Sequence, residues 1–137
     1  QTVKGVIAEM RQVEAALAAA AGDDFAAIRK SLSSGVTALE EAVEYIVATY
    51  GQDIKAASVG SVPFLKLLGV VAGGWQMARA AGIAAQRLAA GGTDPFDTDK
   101  LTSARVYAEH ALVMADGLSA CVCEGAASVL GPSDERI

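Results

Sequence analysis

Few residues in this chain are able to do chemistry, and their spacing keeps most of them apart. The one histidine, His110, directly follows Glu109, and neighbours on a helix do not face each other. A carboxylate-bridged di-iron site in a helical bundle needs two Glu-x-x-His pairs, so one histidine is too few. Cys121 and Cys123 are the only cysteines. Two positions apart on a helix, they point about 200° away from each other. They neither pair nor share a metal there, and read as thiols kept reduced in a cytoplasmic protein. Spaced zinc ligands, a G-x-S-x-G nucleophile turn and a phosphate-cradling glycine loop are all missing from the sequence. The "GVVAGG" run at 69–74 follows no strand pattern, so it is not a dinucleotide fingerprint. Glu40, Glu41 and Glu44 cluster on one helix and read as a solvated face, with a docking patch for a basic surface as the alternative. The residues therefore nominate no catalytic group, no cofactor ligand and no metal ligand.

The elements that would position any site are helical. With 137 residues, the chain is long enough for one domain, 1–137, whose core needs no disulfide or structural metal. Hydrophobic residues make up 53% but aromatics only 5%, because alanine, the strongest helix former, dominates. Strands would need runs rich in β-branched and aromatic residues. The net charge of −5 and scattered basic residues exclude the basic stripe of a nucleic-acid binder and disfavour an anionic membrane surface. The most apolar window, 64–86, is broken by Lys66, Gln76 and Arg79, short of the roughly 18–20 apolar residues of a membrane span. Charges alternate with apolar groups over the first twenty residues, unlike a signal peptide. The chain opens on Gln1 rather than a methionine, which fits a piece cut from something longer.

Val3, Val6/Ile7, Met10, Val13 and Leu17 recur at steps of three and four, one face of a first helix. Gly22 stops it, and Asp23 or Asp24 is placed to cap the second, whose stripe runs Phe25, Ile28, Leu32, Val36, Leu39, Val43, Ile46 and Tyr50. Residues 52–61 lack a period and read as a connector. Ser61 is a candidate cap and Pro63 suits the first turn of a third helix reaching about Ala90. "GGTDP" at 91–95 is the clearest break, with Thr93 or Asp94 as cap. A fourth helix then carries a seam of small residues: Leu101, Ala104, Ala108, Ala111, Ala115, Leu118, Val122, Gly125 or Ala126, and Val129. Short connections favour antiparallel neighbours, so the expected fold is an all-α, up-and-down antiparallel four-helix bundle.

The third helix carries glycine at 69, 73, 74 and 82, each costing about 0.5–1 kcal/mol relative to alanine. Gly69 and Gly73 share a face, and Gly73 in particular is expected to let the fourth helix approach closely. Arg105 and Glu109, four apart, are placed to pair. Trp75, the only tryptophan, is expected at a helix or domain interface.

Two stretches carry a family likeness. "SVPFLKLLGVVAGGWQMARAA" (61–81) resembles the P-[FY]-L-x-L-[FL]-G-x-V-A-G-G-W-x-x-A-R-A-A block, and "KLTSARVYAEHAL" (100–112) the K-L-x-x-A-R-[FY]-[FY]-A-E-x-L-L block, of the acetyl-CoA dehydrogenase C-terminal-like domains. These are helical extensions of large bacterial acyl-CoA dehydrogenases. The likeness is specific in these two blocks and weak in the first two helices, and Phe96-Asp97 stands where the family tends to have Phe-Tyr. It implies a parent that uses FAD and a catalytic carboxylate to remove hydrogens from the α and β carbons of an acyl-CoA thioester, with both the flavin site and the base in upstream domains. It carries over no catalytic residue. It carries over structural positions: Pro63, Phe64, Gly69, Gly73, Gly74, Trp75, Arg79, Lys100, Arg105, Tyr107 and Glu109. Arg79 and Lys100, flanking one inter-helix loop, are expected to bind carbonyls, a carboxylate of the missing domains or a CoA phosphate. The implied partners are the catalytic domains and a second copy of the chain, with acyl-CoA reached through the parent. Two other readings stay open: a free-standing helical module that oligomerises through its small-residue seam, and a bundle that binds acyl-CoA between its third and fourth helices.

Overall fold

The computed structural model describes residues 2–132. Among these residues the structure is helical, without strands: α1 (Val3–Leu17), α2 (Asp23–Tyr50), α3 (Ile54–Val59), α4 (Ser61–Ala89), α5 (Pro95–His110), a 3₁₀ turn (Leu112–Met114), α6 (Ala115–Glu124) and α7 (Ala126–Leu130). The all-α expectation holds, but four unbroken helices do not. The connector at 52–61 contains α3, and the fourth helix is interrupted by the 3₁₀ turn.

Helix ends follow local chemistry. Thr2 accepts from the Gly5 N–H at 3.1 Å, Asp53 from Ala56 at 3.0 Å and Asp94 from Phe96 at 3.0 Å, each occupying a donor left open at a helix start. Pro95 follows Asp94 in the first turn of α5, where its missing N–H costs nothing. Neither Asp23 nor Asp24 caps α2. Gly22 takes that position with φ of 112°, a conformation open to glycine, and the two aspartates favour the helix dipole from the first turn. Ser61 does not cap α4 either: Gly60 precedes it, and the Ser61 hydroxyl donates to the Ser58 carbonyl at 2.8 Å.

α2 and α4 pack on each other at the centre, with α1 on one side and α5, the 3₁₀ turn and α6 on the other. Contacts fix the directions. Gly73 meets Tyr107 and Arg87 meets Asp97, so α4 and α5 run oppositely. Ser34 meets Asp116, Ala38 meets Ser119 and Glu41 meets Cys123, so α2 and α6 run the same way. The core joins Met10, Ile28, Leu32, Val36, Leu39, Leu67, Val71, Ala78, Ala108, Leu112 and Val122. The stripe expected on α2 is buried through Val43 and then emerges: Ile46 is half-buried and Tyr50 is 62% exposed.

Along the expected seam the buried positions are Ala104, Ala108, Leu112, Ala115, Ser119 and Val122. Leu112 and Ser119 are buried in place of the expected Ala111 and Leu118, each one step of four beyond Ala108 and Ala115, while Ala104, Ala108, Ala115 and Val122 are buried as expected. Ser119 is satisfied there by donating to the Ala38 carbonyl at 2.9 Å. By length and hydropathy alone, Pro95–Glu124 meets the criterion for a membrane-crossing helix, a stretch other than the 64–86 window weighed from sequence. It is broken at the 3₁₀ turn and packs one side on α2 and α4, with 28% of its most apolar window buried.

The glycines of α4 divide. A Cβ on Gly73 would strike the Tyr107 hydroxyl, and one on Gly74 would stand 2.5 Å from Leu112 Cδ2. Gly69 and Gly82 have no such neighbour within 4 Å. The close approach expected at Gly73 is real, and Gly69 takes no part in it. Gly73→Ala should therefore destabilise the 137-residue chain by about 1–3 kcal/mol, since the Tyr107 ring must give way. Gly69→Ala should stabilise it by about 0.5–1 kcal/mol through helix propensity alone. Urea melts of the two variants check this; the same sign for both would contradict the division.

Candidate functional site

The two sequence blocks that carry the family likeness lie against each other as α4 and α5, and their residues meet in three separate arrangements. The first is a backbone clamp. The Tyr107 hydroxyl donates to the Val70 carbonyl at 2.7 Å and lies over Gly73. Its pKa is raised by burial, so it stays a neutral donor across ordinary pH. Beside it, Leu112 covers Gly74. Side chains thus fill the space over Gly73 and Gly74 of α4.

The second arrangement is ionic. Arg105 donates through Nε to Glu109 at 2.5 Å, the expected pair, and through a terminal nitrogen to Asp24 of α2 at 3.0 Å. One guanidinium thereby ties α5 to the start of α2. Hydrogen bonds to Glu109 and Asp24 hold its pKa above the usual value.

The third consists of surface stacks. Arg79 lies 5.7 Å above the Trp75 ring and Lys100 lies 5.2 Å above the Phe96 ring, each a cation held by an aromatic face. Arg79 also donates to Gln76 at 3.3 Å. Trp75 packs against the core, and its indole N–H is buried with no acceptor among the described residues. Arg79 and Lys100 are thus held by different rings. Pro63 sits in the first turn of α4, and Phe64 packs against the core.

Other residues took roles that their spacing did not announce. Asp97, at the family's aromatic position, is buried at 4% exposure and faces Arg87 at 3.5 Å, while Phe96 is 57% exposed. Glu40 is not simply solvated: Arg11 of α1 reaches it at 2.8 Å, together with Glu14 at 2.7 Å and the Thr37 hydroxyl at 2.9 Å. His110 is exposed at the end of α5, Cys121 is exposed, and Cys123 is half-buried with its thiol pKa raised by that burial. No group of three metal-ligating side chains occurs among the described residues. An open apolar groove of about 450 Å³ lies between α1 and α4, lined by Val13, Ala16, Leu17, Ala78, Gly82 and Ile83, with Arg79 and Gln86 beside them.

The family model for acetyl-CoA dehydrogenase C-terminal-like domains matches residues 6–132. The chain belongs to this family. It is 38% identical over 86 residues to the 3-methylmercaptopropionyl-CoA dehydrogenase of Ruegeria pomeroyi, a match that takes in 63% of this chain and 15% of that protein. No solved structure matches significantly. The family's second block places Arg105, Tyr107 and Glu109 on α5, and all three are engaged in contacts within the fold.

The Arg11 network gives a pH signature. Burial alone would raise the Glu14 carboxyl, but hydrogen bonds from Arg11 and Ser33 and the charges of Arg11 and Arg29 outweigh it, so its pKa falls below the usual 4.5. A carboxyl depressed on folding stabilises the fold above its unfolded pKa and loses that contribution as pH drops through the folded value. Arg11→Leu should therefore cost about 1 kcal/mol at pH 7, allowing for solvent screening. It should also flatten the loss of stability below about pH 4.5. Chemical melts between neutral and acid pH read both effects, and parallel acid profiles would sink the assignment.

Proposed function

We propose that this chain is the non-catalytic accessory bundle of an FAD-dependent acyl-CoA dehydrogenase, a cytoplasmic homo-oligomer whose upstream domains carry the flavin and the base. The carrying observation is the family match across 6–132, joined to a relative, named as a dehydrogenase, of which the matched segment is 15%. The packing agrees with this role. Polar groups of the second family block hold helices together: Tyr107 holds the α4 backbone and Arg105 ties α5 to α2; outside the blocks, Asp97 faces Arg87. A domain so arranged lends shape and surface to a larger body, through domain and subunit contacts. Its framework is the up-and-down arrangement of four helical arms, with α5 and α6 sharing the fourth. The chemistry of the parent is α,β-dehydrogenation of an acyl-CoA thioester. Its acyl group is not specified by any residue of this chain.

The test compares two preparations. The longer protein encoded by the reading frame that contains this sequence should carry flavin absorbance and reduce an electron acceptor when given acyl-CoA. The 137-residue chain purified alone should do neither. Flavin retained by the short chain, or a longer protein with no acyl-CoA-dependent reduction, would overturn the proposal.

A further inference from the structure

α4 packs on α1, α2, α5 and α6 and still has one face left over. Exposed Val62, Leu65, Gly69, Gln76 and Ile83 follow one another at helical spacing along it. Val62 is 61% exposed, Leu65 66% and Ile83 50%. Gly69 lies in the middle of this seam, and nothing stands within 4 Å of where its Cβ would be. Gly73 and Gly74 on the same helix are each covered by a side chain of this fold. Gly69 thus carries the helix-propensity cost of a glycine with no contact inside the chain to offset it.

Charge says what kind of body offsets it. The chain as a whole has net charge −5, yet α4 contains Lys66, Arg79 and Arg87 and no acidic residue. Lys66 and Arg79 fall on opposite flanks of the apolar seam, by their spacing from Gly69 and Gln76. A second copy of α4 packed on it by two-fold symmetry would gather Lys66 and Arg79 from both copies with no carboxylate from α4 itself, Arg87 being already paired with Asp97 of α5. Packing it on an acidic face of another copy would be a heterologous contact, which closes only into a ring or else runs on. A body elsewhere in the same polypeptide meets neither obstacle, and 85% of the matched dehydrogenase lies outside the matched segment.

We infer that the outward face of α4 is the surface by which this domain docks on the catalytic body of its own polypeptide, against an apolar helix face flanked by carboxylates. The inference rests on the functional reading above. Gly69 is where the two backbones come closest, and Val62, Leu65 and Ile83 supply the apolar anchors on either side.

The test uses the longer protein with Cys121→Ser and Cys123→Ser and a single new thiol, at Leu65→Cys on the face or at Lys30→Cys on α2, with Val62→Cys as a second position on the face. Both face positions are exposed in the domain, so unchanged helix signal and melting temperature are the control for folding. With maleimide, both face thiols should label at least about tenfold more slowly than Lys30→Cys. This protection should persist on dilution to single polypeptides, and Lys66→Glu should raise the Val62→Cys rate at least about threefold by placing like charges together. Face thiols that label as fast as Lys30→Cys overturn the docking face. Protection that vanishes on dilution overturns it in favour of a second copy, and no response to Lys66→Glu overturns the carboxylate flanks. Flavin content and acyl-CoA oxidation of the same preparation report on the functional reading separately. An active flavoprotein with a freely labelled face loses the docking inference alone.

Discussion

The fold turns on one side chain held between two glycines. Leu112 is 2% exposed, and its Cδ2 would lie 3.2 Å from a Cβ on Gly35 of α2 and 2.5 Å from one on Gly74 of α4. The two central helices, by giving up side chains at these positions, make a notch that only a third element can fill. Leu112 opens the 3₁₀ turn that follows α5 and stands one helical step beyond buried Ala108. The neighbouring clamp of Tyr107 over Gly73 sets the approach of α5, and Ser119 hydrogen-bonded to Ala38 sets that of α6. Lost helix propensity is thus converted into contacts.

What the sequence made legible was whatever depends on neighbours along the chain. The periodic stripes on α1 and α2, the break at 91–95, the cap at Asp94 and the Arg105–Glu109 pair all follow from local spacing. The close approach at Gly73 was legible as well, because a glycine within an apolar helix asks for a partner. That Gly69, on the same face, would take no part was not. Gly69 and Gly73 look alike along the helix, and only the placement of Tyr107 separates them.

The misses have the same origin. Leu112 fell outside the expected seam because Ala111 and Leu112, three and four positions after Ala108, are both helical neighbours of it, and spacing does not choose between them. Glu40 read as solvated because its partner, Arg11, lies 29 positions away. α3 was hidden by its length of six residues, too short for any periodicity to show. For function, the local evidence was negative and the family blocks were positive. The structure adds that Tyr107 and Arg105 of the second block hold helices together, while Arg79 and Lys100 stack on rings of their own helices.

The shared direction of α2 and α6 has a consequence for how the domain comes to be made. The pairs that join these helices, Ser34 with Asp116, Ala38 with Ser119 and Glu41 with Cys123, are separated by 81 or 82 residues of chain. On a ribosome adding about 5–20 residues per second, the matching part of α2 is finished roughly 4–16 s before its partner exists. During that interval the apolar stripe from Leu32 to Val43 has α1, and later α4 and α5, to shelter it. Until α6 is made, the side of α2 that Ser119 and Val122 will cover stays open to water.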